Sequence, residues 1–250
     1  LSRCGIMAWA RADMALARAR LDECLQLRRL AGDLRGIAAA LNNLGLVARD
    51  QGDLEASRDL YLQASGSFRE LGLPRELSSA LNNLGCVCIE LGRLEEGLEA
   101  LEECRILAES LDDRLGVARA LHDSGEARLL QAEPARAAEL MRLALRDRWA
   151  AREWREVAQC LEGLARCHAA LGQHELAAFL LAAEQVLRES ADIPSGPREC
   201  ERRRETQQLL QSHLGGEDWA RATQLAALSE PDHAVRIAMQ EDSLDELWQR

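Results

Sequence analysis

The sequence predicts an all-α fold: a right-handed α-solenoid of about five helical hairpins with a 40-residue period and a C-terminal helical cap. Three observations carry this. The pentapeptide Leu41-Asn42-Asn43-Leu44-Gly45 returns unchanged as Leu81-Asn82-Asn83-Leu84-Gly85. Altered copies follow at Leu121-His122-Asp123-Ser124-Gly125 and Leu161-Glu162-Gly163-Leu164-Ala165, and the chain opens on Leu1-Ser2-Arg3-Cys4-Gly5. A fixed period of this length marks stacked two-helix units that bury their faces only against neighbours. The second observation is composition, 47% apolar but only 3% aromatic, so the core must be built from Leu, Ala, Val and other small helix-compatible residues. The third is that the apolar stripe of 3–4 spacing in a unit is cut by a short turn, Gly-bearing in the second, third and fifth units, and then resumes.

In chain order, units begin near residues 1, 41, 81, 121 and 161, the first of them truncated, and together occupy 1–190. The first keeps Cys4, Gly5 and Ala8, then Ala17, Leu21 and Cys24. In the second, Ile37, Ala40, Leu41, Leu44, Val47 and Ala48 form one helix face, and Leu54, Ser57, Leu60, Tyr61, Ala64 and Phe68 form the next. Between them lies Gln51-Gly52-Asp53, where Gly supplies a left-handed residue and Asp caps the following helix. The third unit turns at Leu91-Gly92-Arg93, the fourth at Gln131-Ala132-Glu133-Pro134 with Pro opening a helix, and the fifth at Leu171-Gly172-Gln173. From Ala191 the register loosens. After a loop at 191–197, helices are expected over 198–214, 217–228 and 231–239, then a charged tail, so that 191–250 forms the cap.

Composition excludes several classes of function. A net charge of −11 argues against direct nucleic-acid binding by this segment. All 31 basic residues are Arg, so a lysine-dependent phosphate-binding loop is absent from this sequence. The eight Cys fall largely at apolar packing positions, and Cys86 and Cys88 point about 200° apart on a helix, which predicts reduced structural thiols and no metal site. No stretch approaches the ~20 apolar residues of a membrane span. A cytoplasmic domain without cofactor is expected, excised from a longer protein since the chain begins without Met in mid-pattern. No nucleophile–base pair or paired-carboxylate setting stands out, so no catalytic residue is expected.

Leu41, Leu44-Gly45, Gly52-Asp53, Ser57, Tyr61 and Ala64 together resemble the tetratricopeptide repeat in a forty-residue form, over about residues 1–190. A second resemblance lies in Leu180-Leu181-Ala182-Ala183-Glu184-Gln185-Val186-Leu187-Arg188-Glu189 and in Leu214-Gly215-Gly216-Glu217-Asp218-Trp219-Ala220. These are similar to the C-terminal sensor region of large bacterial signalling ATPases, including LuxR-type transcriptional regulators. That resemblance implies a non-catalytic ligand-sensing or protein-interaction domain, with ATPase and DNA-binding parts elsewhere in the parent protein. The alternative is a free-standing scaffold that docks extended peptides.

In such a solenoid the first helix of each unit lines the concave face. The outward register there is Ser2, Arg3, Ile6 and Trp9; Asn42, Asn43, Leu46 and Arg49; Asn82, Asn83 and Cys86; Arg119, His122, Asp123 and Glu126; and Gln159, Glu162 and Arg166. The candidate binding residues are Asn42, Asn43, Asn82, Asn83, Arg119, His122, Asp123 and Arg166. Amides carry both donors and an acceptor and can hold a peptide backbone, while the arginines favour an anionic group. In peptide-binding members of the family that Asn43 and Asn83 resemble, this position performs that role. The partner is expected to be a protein, a peptide or a small-molecule inducer. His168 reads as a core residue, the Trp149–Trp154 pair as packing, and Glu201-Arg202-Arg203-Arg204-Glu205 as a solvated helix face.

Overall fold

The computed structural model describes residues 13–241 together with Met7 and Leu244. The expected outward positions Ser2, Arg3, Ile6 and Trp9, the first pentapeptide copy and most of the charged tail lie outside the described residues. Among the described residues all regular structure is helical. We number the helices α1 (Met14–Ala31), α2 (Leu34–Asp50), α3 (Leu54–Glu70), α4 (Pro74–Glu90), α5 (Leu94–Ser110) and α6 (Arg114–Leu130). There follow α7 (Pro134–Ala150), α8 (Trp154–Ala170), α9 (His174–Ser190), α10 (Pro197–His213), α11 (Gly216–Leu228) and α12 (Pro231–Ala238).

From α2 to α9 the helices are equal in length and evenly spaced, each separated from the next by a turn of the same size. The turns explain this regularity. After α2, the Gly52 N–H bonds the Arg49 carbonyl at 2.9 Å and the Asp53 N–H bonds the Ala48 carbonyl at 2.9 Å. That is the Schellman arrangement, which satisfies the last carbonyls of a helix and needs one left-handed residue. The left-handed position recurs at Gly32, Gly52, Gly72, Gly92, Asp112, Ala132, Arg152, Gly172 and Asp192. The next residue then starts the following helix: Asp13, Asp33 and Asp53 each accept an N–H from the first turn, while Pro74 and Pro134 open α4 and α7.

The chain forms two compact units, Leu1–Asp123 and Ser124–Arg250, with the division inside α6. In the first, α2 pairs with α3 and α4 with α5 as antiparallel hairpins. Its core runs through Leu41, Leu44, Val47, Tyr61, Phe68, Leu81, Leu84 and Val87, all buried. The hairpins close tightly because small residues stand at the crossings. A Cβ on Gly45 would lie 2.7 Å from the Tyr61 ring, and one on Gly85 would lie 2.5 Å from the Leu101 side chain. Ser57 also reaches across, its hydroxyl donating to the Gly45 carbonyl at 2.8 Å.

In the second unit α8 pairs with α9 around Met141, Leu145, Val157, Leu161, Leu164, Phe179 and Leu180. Here α11 packs on α9. The helix starts leave the even spacing after α9, α10 beginning at Pro197. No helix of the described residues is long and apolar enough to cross a membrane.

Candidate functional site

In the first unit the first helices α2 and α4 are joined by polar rungs. Arg35 reaches Glu76 at 2.5 Å, the Asn83 Nδ2 donates to Asn42 Oδ1 at 3.3 Å, and Arg49 Nε donates to Glu90 at 2.9 Å. Each rung joins positions one repeat plus one residue apart, and the rungs follow each other two helical turns at a time, so they share one stripe. Burial works against the Arg49 charge, yet the hydrogen bond to Glu90 holds its pKa above the ordinary value. The same offset joins α4 to α6 through Asn82, whose Nδ2 donates to Asp123 Oδ2 at 3.1 Å, and the Cys86 thiol donates to the same oxygen at 3.2 Å. Burial, with Asp123 beside it, pushes the Cys86 thiol well above the usual range. It is therefore a neutral donor and not a thiolate nucleophile.

The candidate residues divide accordingly. Asn42, Asn43, Asn83 and Asp123 are half-buried and Arg119 is exposed. Asn43 and Arg119 form no hydrogen bond or ion pair among the described residues. The outward placement expected of Asn82 and His122 does not hold, because both side chains are buried, at 6% and 8% exposure. For Asn82 the reason is the one-residue step in the ladder: Asn82 turns toward α6 while Asn83 turns toward α2. Asn42, Asn83, Asn82 and Asp123 thus spend part of their hydrogen-bonding capacity between repeats, leaving Asn43 and Arg119 as the candidates with that capacity uncommitted.

Arg166 belongs to the second unit, where it makes two hydrogen bonds to the Glu126 carboxylate at 2.8 and 2.9 Å. Beside it, burial raises the pKa of Glu162 against the pull of Arg166 and Arg202. The reading of 201–205 as a solvated face holds for Glu201, Arg204 and Glu205, which are exposed, and is corrected at Arg202 and Arg203. Arg203 donates to Glu184 at 2.9 Å and to Gln185 at 2.7 Å, and Arg202 lies 3.4 Å from Glu162. Glu184 is fully buried and also takes a hydrogen bond from Arg188. Sequence reasoning missed these ionic contacts. The signal available in the sequence is charge complementarity at the repeat offset, Arg49 with Glu90 and Glu162 with Arg202.

His168 is buried, bonded through Nδ1 to Gln173 at 2.5 Å, and burial lowers its pKa. Trp149 and Trp154 pack edge-to-face with ring centroids 5.2 Å apart. Cys24, Cys88, Cys104, Cys160 and Cys167 are buried free thiols, and burial pushes Cys88 up to about 11 and Cys167 up to about 12. Cys200 is exposed. Among the described residues no group of three or more His, Cys, Asp or Glu is placed to hold a metal ion.

The profile described as tetratricopeptide repeat matches residues 1–70 and 76–148, more than half of the sequence. The chain belongs to the tetratricopeptide repeat family. The tetratricopeptide fold is a protein-interaction scaffold, and solved structures agree on the architecture. BtubC (BKLC) from P. vanneervenii is similar at TM-score 0.66 and 17% identity, with 92% of this chain and 93% of that one covered. The nearly identical TPR-like repeats of a kinesin light chain from Podosopora anserina give TM-score 0.63 at 13% identity, covering 77% and 95%. The Rap conjugation gene regulator of the plasmid pLS20, in complex with the Phr* peptide, gives 0.59 at 13% identity, covering 95% and 73%. At such identities the likeness is one of fold. No curated protein matches the sequence.

Proposed function

We propose that this tetratricopeptide repeat chain is a non-catalytic sensor domain that captures an extended peptide or protein segment on the first-helix face of its first unit. We place it in a cytoplasmic bacterial transcriptional regulator or signalling ATPase. The observation that carries the binding role is the pair of uncommitted polar groups, Asn43 and Arg119, on a face whose other amides are tied into rungs. The Asn43 amide can pair with a peptide N–H and C=O together, and Arg119 supplies a positive group on a chain of net charge −11. Peptide recognition is supported by the Rap regulator, a repeat protein of the same architecture whose structure holds a peptide. The regulator context rests on the resemblance of 180–189 and 214–220 to signalling ATPases.

The test is a screen of arrays of short neutral and acidic peptides, followed by titration of the best binder. Asn43→Ala combined with Arg119→Ala should weaken binding at least tenfold, about 1.4 kcal/mol, with an unchanged circular dichroism melt. Binding that survives the double substitution moves the site off this face.

A further inference from the structure

Helix α10 is attached to the second unit by charge, with little apolar area. Twelve of its positions are exposed and only Thr206 and Leu210 are buried, whereas α8, equal in length, has just two exposed positions. What holds α10 is polar. Gln159 donates to Glu199 at 3.1 Å, Arg202 approaches Glu162, Arg203 reaches Glu184, and His213 stacks on His174 with centroids 4.4 Å apart. These contacts are poorly satisfied. Seven buried side-chain polar atoms lack a hydrogen-bond partner among the described residues, and five of them lie here: Glu162 Oε1, Glu184 Oε2, Arg202 Nε, Arg203 Nε and His174 Nδ1. Glu162 Oε1 and Arg202 Nε face each other at 3.4 Å without hydrogen-bonding alignment. Buried charges that give up water for imperfect partners gain little from the exchange. Such an element opens locally long before the core does.

The position of α10 gives this weakness a use. It bonds α8 at the one-repeat offset, 159 to 199 and 162 to 202, and so stands where a further first helix would stand. It contacts Gln159, which is half-buried like its counterpart Ala39, whereas the counterparts Ser79 and Arg119 are exposed. Its adjacent arginines straddle two helices, Arg202 reaching α8 and Arg203 reaching α9.

We propose that α10 is a displaceable strap, and that Glu162 and Glu184 beneath it form the receptor for a helix of a partner protein carrying two adjacent arginines. The strap is the internal stand-in for that partner. Only the assignment of a partner rests on reading first-helix faces as binding surfaces; opening of α10 is measured with no partner present, and none of the residues involved lies in the first unit.

Hydrogen exchange on the full chain at low and at high NaCl tests the strap. Amides of 200–213 should exchange at least tenfold faster than those of 161–170, and salt should speed the former alone, since it screens the ion pairs. Protection of α10 within threefold of α8, unmoved by salt, makes α10 a fixed cap and overturns the proposal. The receptor is tested with a synthetic peptide of residues 197–213 against the full chain. Arg202→Glu/Arg203→Glu, which repels its own strap, should bind it at least tenfold more tightly than the wild type. Glu162→Gln/Glu184→Gln added to that variant should abolish the gain, and the milder Arg202→Gln/Arg203→Gln replaces the first variant if its helical content falls. Equal affinity in wild type and strap variant, or a gain that survives loss of both carboxylates, overturns the receptor.

Discussion

At the scale of single residues, the hairpin crossings are the most exacting positions in the chain. Gly45 faces the Tyr61 ring and Gly85 faces both Leu101 and the Gly97 carbonyl, whereas a Cβ on Gly66 meets nothing within 4 Å. Gly45→Leu and Gly85→Leu should therefore each destabilise by roughly 1–3 kcal/mol through overpacking. Gly66→Ala should gain up to about 1 kcal/mol from helix propensity. Urea denaturation of the three variants decides it, and equal shifts would show that the crossings are misassigned. His168 is a second residue with a definite consequence. The unfolded imidazole takes its proton near about 6.5, while the buried one resists until lower pH. Below about 6.5 the unfolded state thus binds the extra proton, and stability falls as the pH drops. Thermal melts of wild type should lose more between pH 7.5 and 5.5 than those of His168→Gln; identical losses would place the acid sensitivity elsewhere.

At the scale of elements, the turns explain both the regularity and its weak points. Among the described residues five of the ten left-handed positions are Gly, and the other five are Asp112, Ala132, Arg152, Asp192 and Gln240. Asp tolerates this conformation through local hydrogen bonding, but Ala and Arg have no such relief. Ala132→Gly and Arg152→Gly should each stabilise by about 0.5–1 kcal/mol, and Asp112→Gly by less, as read by shifts in urea midpoint. A loss of stability in both would mean that the strain is already compensated by packing. These turns also show what was legible in the sequence. Gly52-Asp53 announced one and Pro134 another, but Arg152-Glu153 is identified only by counting from its neighbours. The repeated Leu, Gly and Ala positions follow from period alone, since they pack within one unit. The fate of Asn82 does not, because it depends on a one-residue step between neighbouring first helices that no single repeat contains. For the same reason the ion pairs of α10 with Glu162 and Glu184 read as a solvated run: their partners lie a full repeat and a helix away in sequence.

At the scale of the whole molecule, contacts in each unit run mainly between elements adjacent in sequence, so damage should stay local. In Gly45→Leu, hydrogen exchange should rise severalfold in α2 and α3 while α8 and α9 keep their protection. A uniform rise would show the chain to unfold as one cooperative body. The even recurrence of a left-handed residue at the turns from Gly32 to Asp192 has one more consequence, which concerns how such a chain can change in length. A gain or loss of one full repeat returns every turn, crossing glycine and rung to an equivalent place. A change of half a repeat preserves the turns but swaps the two kinds of helix, setting Asn42-type residues where Ser57-type residues belong. Any other length breaks the turns themselves. Variation in this architecture is therefore quantised, and copying errors that survive must come in steps of one hairpin.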